Sequence, residues 1–284
     1  MQKFIIAIMS HKRPEAICKK TLNYIYNNVS DPKDLKINIF LSDYKQKEEY
    51  EYFFNKYFSK KYPNTIEYII SGNSYLQKVN DIHMAYPVGT KVFVIEDDII
   101  ELSKMYIKDN KKIYKKIDKL DDYINNGFRI CSEKKANIFG MYPVYNAYFS
   151  YNTISDDFRF LIANAFGFIS SKDKKLLLKC DAKSDYERTI RYMLRDGKVI
   201  RFNDVAAKTN GYDNSGGFDR FDKRYKSEEY CCKWLIEKFP LMVKEKKCKS
   251  RYPEISLIKN FNKKLTKKKN MNSYSKKHSI VKNY

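Results

Sequence analysis

The sequence predicts an α/β fold built on a mostly parallel, doubly wound central sheet, with a basic tail after it. Three observations carry this. Short continuous apolar runs recur in the first hundred residues, at 4–9 (FIIAIM), 37–42 (INIFLS) and 92–95 (VFVI). Runs of that length without polar alternation are strands buried on both faces. Helical segments separate them, and strands alternating with helices at this spacing argue for a parallel sheet. Each run also ends abruptly in a polar cluster: Ser10-His11-Lys12-Arg13, Ser42-Asp43 and Glu96-Asp97-Asp98. In such sheets ligands gather at the carboxyl ends of the strands.

Element by element, Pro14 suits the first turn of a helix running to about residue 28. A charged, aromatic helix is expected over 46–60, a short strand over 66–70 and a helix over 75–86. Residues 101–126 are polar and Lys-rich and are read as helical. After Gly127 the pattern changes, with strands expected over 138–142, 149–154 and 165–170. Helices follow over 172–180 and 185–195, the second ended by Gly197 as a helix-terminating glycine. Then come a strand over 199–202, a Gly- and Asn-rich loop over 208–224 and a helix over 227–239. From 244 to 284 there are fourteen Lys and Arg against two Glu. That stretch reads as a basic tail, partly helical or disordered.

Composition bounds the function. The chain has 284 residues, 43% of them hydrophobic, which suits a globular fold with a full core. The formal net charge is +22. Such a surplus favours polyanionic partners such as nucleic acid, an anionic membrane surface or nucleotide phosphates. Codon bias toward Lys, Asn, Ile and Tyr is the competing explanation. Six Cys without C-x-x-C spacing, and three His, argue against structural zinc and for a reducing compartment. The N-terminal apolar run is too short and its basic cluster too late for a signal peptide, and no run approaches the roughly 18 apolar residues of a membrane span. The expectation is a soluble, cytoplasmic protein without integral membrane association. P-loop, dinucleotide-fingerprint and G-x-S-x-G motifs are all missing from the sequence.

Five constellations remain as candidates for chemistry. Three carboxylates, Glu96, Asp97 and Asp98, closing a buried strand repel one another unless a cation compensates. A divalent ion held by one or two carboxylates and substrate phosphates is the usual arrangement; an N-cap for a following helix is the plain alternative. The loop Ser10, His11, Lys12, Arg13 offers groups for nucleotide phosphates, or else a solvated turn. Lys78, with Asn80 and Asp81, stands just ahead of the acidic strand, where a cation reaches a diphosphate. Asp185 and Glu187 open a helix, a placement that the helix dipole alone explains and that also suits a general base. Gly216 and Gly217, with Arg220, lie in a loop able to close over a ligand.

Taken in order, these motifs resemble a glycosyltransferase of the GT-A (Rossmann-like) fold, and more specifically the TET-associated glycosyltransferases of phages, related to base J glucosyltransferase. The resemblance spans roughly residues 3–225. It implies a GT-A domain over 1–243, with a nucleotide-sugar-binding half at 1–100 and an acceptor half at 127–243, and a tail over 244–284. It implies Glu96, Asp97 and Asp98 as the metal motif for Mn²⁺ or Mg²⁺, with Ser10, His11, Arg13, Asp43, Lys78, Asp97, Gly216, Gly217 and Arg220 around a donor of the UDP-sugar type. Asp185 and Asp98 take the catalytic places. The implied acceptor is a hydroxymethylated pyrimidine in DNA. A glycan, lipid or protein acceptor, and a non-catalytic nucleic-acid-binding module, stand as alternatives. The motif departs from the family in opening with Glu, and no late His is placed to complete a metal site.

Overall fold

The computed structural model describes residues 4–58, 61, 62, 64–209 and 221–259. The chain divides into two compact units, 1–220 and 221–284.

In the first unit, β1 (Ile5–Met9) leads into α1 (Pro14–Ile17), a π-helical turn (Cys18–Leu22) and α2 (Asn23–Asn27), so the expected helix forms with a bulge in its middle. Then come β2 (Ile37–Leu41), α3 (Tyr44–Tyr57), β3 (Ile66–Ile70), α4 (Tyr75–Ala85) and β4 (Lys91–Glu96). The four strands lie in the order β3-β2-β1-β4, all parallel. Every residue of β2 is buried, and four of the five in β1, which is why these strands are almost wholly apolar, with buried Asn38 the one polar residue between them.

The stretch from 101 to 119 overturns the helical reading. It forms a hairpin of β5 (Ile99–Lys108) and β6 (Lys111–Lys116), and only then α5 (Leu120–Lys134). Asp109 and Asn110 both take positive φ, +48° and +58°, the backbone that a two-residue hairpin turn needs. Leu102, Ser103 and Met105 are buried, whereas the lysines point to solvent. Lys-rich composition masked the pairing.

The second half of the sheet is mixed. After β7 (Ile138–Met141) come β8 (Ile154–Ser155), β9 (Ala165–Ile169), α6 (Ser184–Asp196), β10 (Ile200–Phe202) and β11 (Val205–Thr209). The full sheet runs β3-β2-β1-β4-β9-β7-β10-β8, with β9 antiparallel to both neighbours. β11, which the sequence reading missed, joins β5 and β6 in a separate three-stranded sheet. Two further expectations fail. The strand expected over 149–154 is a short helical turn (Ala147–Phe149) and the two-residue β8, and the helix over 172–180 shrinks to one 3₁₀ turn (Lys174–Leu176). In both places burial is partial, so local propensity had no periodic face to organise it. Gly197 does end α6, in the left-handed conformation at φ +74°.

Gly167 lies opposite Phe93 on one side and Phe139 on the other. A Cβ there would overlap the Phe139 ring. Gly167→Ala is therefore expected to lower stability by about 1–3 kcal/mol, the cost of overpacking a core, measured by urea unfolding.

The second unit holds α7 (Phe221–Lys238) and an antiparallel pair, β12 (Val243–Glu245) with β13 (Ile255–Leu257). Ordered strands thus occupy part of the stretch read as tail, around buried Val243 and Ile255. Five of the six cysteines are buried, and Cys248 is exposed.

Candidate active site

The parallel order of β2, β1 and β4 places three polar strand ends side by side, because parallel neighbours end at the same edge of the sheet. At β1, Ser10 is buried and its hydroxyl donates to Asp97 Oδ2 at 2.5 Å. Arg13 donates to Asp97 Oδ1 at 3.1 Å. The Tyr50 hydroxyl completes this knot, 2.6 Å from Ser10 Oγ and accepting from the Arg13 amide at 3.0 Å. Both oxygens of Asp97 are thus engaged in bracing the first loop against the acidic motif. This gives Asp97 a bracing part; its neighbours Glu96 and Asp98 are both half-buried.

At β2, Ser42 Oγ accepts from Lys78 Nζ at 2.6 Å and lies 3.3 Å from His11 Nδ1. The Lys78 chain is buried, and burial holds its pKa below the ordinary lysine value. Two basic groups on two elements therefore converge on one hydroxyl beside the first loop. Asp43 caps α3 instead: its two oxygens accept from the Gln46 backbone and side-chain amides, each at 2.8 Å. Asn80 is likewise structural, exchanging two hydrogen bonds with the backbone of Leu178.

At β4, Thr21 donates to the Glu96 carbonyl at 2.8 Å and accepts from the Ile99 amide at 2.9 Å, fixing the turn that presents the acidic motif. Glu96 is pushed up to about 8 by burial first, then by the charges of Asp98, Asp97 and Asp185. Asp185, at the start of α6, is pushed up to about 6, chiefly by burial, with Arg188 pulling the other way. Asp185 thus belongs to the same electrostatic cluster as Glu96, although 89 positions separate them in the sequence.

Two residues two positions apart on α6 have opposite fates. Glu187 is fully buried and fully satisfied: one oxygen accepts the amides of Lys179 and Cys180 at 2.7 Å each, the other the Arg191 guanidinium at 2.6 and 2.7 Å. It is the hub that fixes the 174–180 segment to the helix. Glu187→Ala is expected to cost about 3–5 kcal/mol, because it removes the buried partner of the Arg191 guanidinium and the acceptor of two amides, and denaturant unfolding would measure it.

Sequence reasoning missed Arg188 and Tyr75. Arg188 is 4% exposed, and its charge acts on Glu96, Asp185 and Tyr75. Tyr75 opens α4, and its hydroxyl accepts from Ser184 at 3.3 Å, tying the starts of α4 and α6 together. The signal for Arg188 was present: three residues after Asp185, it shares a helical face with it. Gly216, Gly217 and Arg220 lie outside the described residues.

Among the described residues no three His, Cys, Asp or Glu side chains converge closely enough to hold a metal by themselves. Burial first, and then the neighbouring carboxylate charges, raise Glu96, and that cluster of charge nevertheless fits a cation shared between one or two carboxylates and a ligand's phosphates.

The fold resembles solved glycosyltransferases. Against TarS residues 1–349 of S. aureus, in complex with UDP-GlcNAc, the TM-score is 0.51 at 11% identity, over 82% of this chain and 66% of that one. Against the mannosyltransferase PcManGT of Pyrobaculum calidifontis, in complex with GDP-Man and Mn²⁺, it is 0.54 at 10% identity, over 84% and 64%. The chain thus spans just under two thirds of each of those chains. At such identity the likeness defines the fold, which is the GT-A glycosyltransferase fold. No protein-family model matches the chain, and no curated protein matches it. No helix among the described residues is long and apolar enough to cross a membrane.

Proposed function

We propose that the chain is a metal-dependent glycosyltransferase that moves a sugar from a nucleotide-sugar donor to an acceptor hydroxyl. One observation carries this: three strand ends present a hydroxyl-and-cation face (Ser42, His11, Lys78) beside a carboxylate face (Glu96, Asp98), with Asp185 electrostatically coupled to the latter. The fold likeness to proteins solved with UDP-GlcNAc and with GDP-Man and Mn²⁺ supports a nucleotide-sugar donor and a divalent cation.

Lys78 and His11 suit the donor diphosphate, as buried or half-sheltered donors suit phosphate oxygens. Glu96 and Asp98 would hold Mn²⁺ or Mg²⁺, which neutralises the charge building on the departing diphosphate. Asp97, through Ser10 and Arg13, keeps the first loop in register with those carboxylates. In the transfer the bond from the anomeric carbon to phosphate breaks and its electron pair leaves with the diphosphate. The acceptor oxygen bonds to that carbon, and Asp185 takes the acceptor proton.

For the acceptor we favour a hydroxymethylated pyrimidine in DNA, on the motif resemblance and on charge. The β5–β6 hairpin exposes Lys104, Lys108, Lys111, Lys115 and Lys116, with Tyr106 and Ile107 among them. Cations interleaved with an aromatic ring suit phosphates and an unstacked base. A base in duplex would have to be flipped out to reach the site. The test is nucleoside diphosphate release from a panel of nucleotide sugars with Mn²⁺ or Mg²⁺, with and without hydroxymethylated DNA. Release stimulated by that DNA is the expected result. Release indifferent to DNA would move the acceptor to a glycan, lipid or protein, and no release with any donor would overturn the enzyme reading.

A further inference from the structure

Residues 142–151 (YPVYNAYFSY) hold five aromatic side chains and no charged one, in a chain where 32% of residues are charged. The strip is not core: Tyr148 is 76% exposed and Phe149 54%, and Val144, Tyr145 and Tyr151 are each more than a third exposed. A contiguous apolar surface left outside the core marks an interaction site. Strand direction sets its place in the fold. β9 runs antiparallel to both β4 and β7, so β7 ends at the same edge of the sheet as β1 and β4. The strip leaves the end of β7 and so starts at the edge that carries Ser10 and Glu96. Tyr145 ties it to the strand that follows the acidic motif, its hydroxyl donating to Glu101 Oε1 at 2.9 Å.

The backbone under these rings is fixed. The Asn146 side chain accepts from the Tyr148 amide at 3.0 Å, and the Tyr142 and Tyr151 amides donate to the carbonyls of Val205 and Asn203 at 2.8 and 3.2 Å. Lys112 of β6 donates to the Tyr148 and Ser150 carbonyls at 3.2 and 2.7 Å. Tyr145 stacks on Tyr114 of β6 with ring centres 4.6 Å apart, and Phe149 meets Tyr148 edge to face at 5.1 Å. The exposed rings are thus held before any partner arrives, and little ordering entropy remains to be lost on contact. Cations border them. Lys208 of β11 lies 6.0 Å from the centre of the Tyr145 ring. Lys112, Tyr114 and Lys116 alternate along β6 and so share the hairpin face that meets the strip, opposite the face of Lys104 and Tyr106. Of the groups named here only Glu101 is acidic, and Ser103 and Tyr145 both donate to it.

We infer that this strip is a docking platform for single-stranded nucleic acid, with bases stacking on Tyr148 and Phe149 and phosphates meeting Lys116 and Lys208. Aromatic faces accept any base, and cations beside them follow the backbone, the combination that single-strand binding uses. A neutral glycan would stack on the rings but has no use for the lysines. Position decides against an anionic membrane, which would meet the same cations: a strand on the platform runs along the sheet edge where the donor is proposed to bind. The inference rests on the DNA reading of the acceptor given above, and adds that the strand is unpaired where it is held.

The test is fluorescence anisotropy of the full chain with a labelled oligothymidylate of about 12 nucleotides, within the site size of such grooves, over a range of salt. Tyr148→Ala and Phe149→Ala are each expected to weaken binding about tenfold, the loss of one stacked base. Both rings are exposed, so these variants should unfold in urea as the wild type does. Tyr148→Phe keeps the ring and should bind as the wild type. Lys116→Ala with Lys208→Ala should lower the slope of log affinity against log salt by about 1.4, two phosphate contacts on a single strand. A duplex of the same length has its bases already stacked, so the two aromatic variants should bind it unchanged. Oligothymidylate affinity equal in wild type and both alanine variants overturns the platform, as does Tyr148→Phe falling as far as Tyr148→Ala, or an equal loss on the duplex. Should phosphatidylserine vesicles or maltohexaose lose binding in these variants while the oligonucleotide does not, the surface belongs to a membrane or a glycan and the inference falls. Nucleoside diphosphate release separates the two readings. Release stimulated by hydroxymethylated DNA equally in wild type and Tyr148→Ala overturns the platform and leaves the acceptor. Weakened oligonucleotide binding without any DNA-stimulated release keeps the platform and removes DNA as acceptor.

Discussion

Asp185→Asn is expected to lower turnover by about 10²–10⁴-fold, the contribution of a positioned general base, while leaving donor affinity close to that of the wild type. The same variant carries a stability signature with a worked sign. Asp185 has its folded pKa raised from 3.8 to about 6 by burial. Between those values the unfolded chain has lost its proton while the folded chain retains it. Stability therefore falls as pH rises through that window, and the loss persists above it. Asn carries no charge to bury, so the variant should melt higher than wild type above pH 6 and no higher below pH 4. Calorimetry at the two pH values measures this. In the wild type, kcat/KM should fall as pH drops below about 6, where the base becomes protonated; a flat profile would remove Asp185 from that role. Slower and more stable together is the outcome that a merely structural Asp185 does not produce.

Asp98→Ala is expected to reduce metal-dependent donor turnover by about 10³-fold, the factor corresponding to roughly 4 kcal/mol of transition-state charge stabilisation. Far-UV circular dichroism should stay unchanged, because Asp98 is half-buried at a strand end and outside the core. Titration calorimetry with Mn²⁺ and nucleoside diphosphate should show weakened cation binding. Asp97→Asn supplies the contrast. Its oxygens are engaged by Ser10 and Arg13, so it should keep its cation affinity and instead loosen the first loop, raising the donor KM. Equal loss of cation binding in both variants would return Asp97 to the metal site, as the motif resemblance has it.

Much of the fold was legible because burial writes itself into sequence. β1, β2 and β4 are largely covered on both faces, so few polar positions interrupt them, Asn38 in β2 being one, and their polar ends stand out by contrast. The same logic exposed Asp185 at the start of α6 and Gly197 at its end. The β5–β6 hairpin was misread for the opposite reason. Lysines recur along both strands, and a period-two pattern of burial survives only in Ser103 and Met105. Asp109-Asn110 was the better signal, since that pair tolerates the positive φ of a tight turn.

The sequence alone determined the α/β class, the parallel core, and which residue types gather at its carboxyl edge, because each of these follows from hydrophobic pattern and chain direction. Tertiary structure alone decided that Asp97 braces the first loop through Ser10 and Arg13. Ser10 and Asp97 are 87 positions apart, and only strand adjacency brings them to 2.5 Å. It also decided that Glu187 is a hub while its near neighbour Asp185 acts electrostatically on Glu96, and that Arg188, Tyr192 and His83 line one cavity. Hydrogen bonds and buried charge depend on distance through space, and pattern along the chain carries no record of that distance.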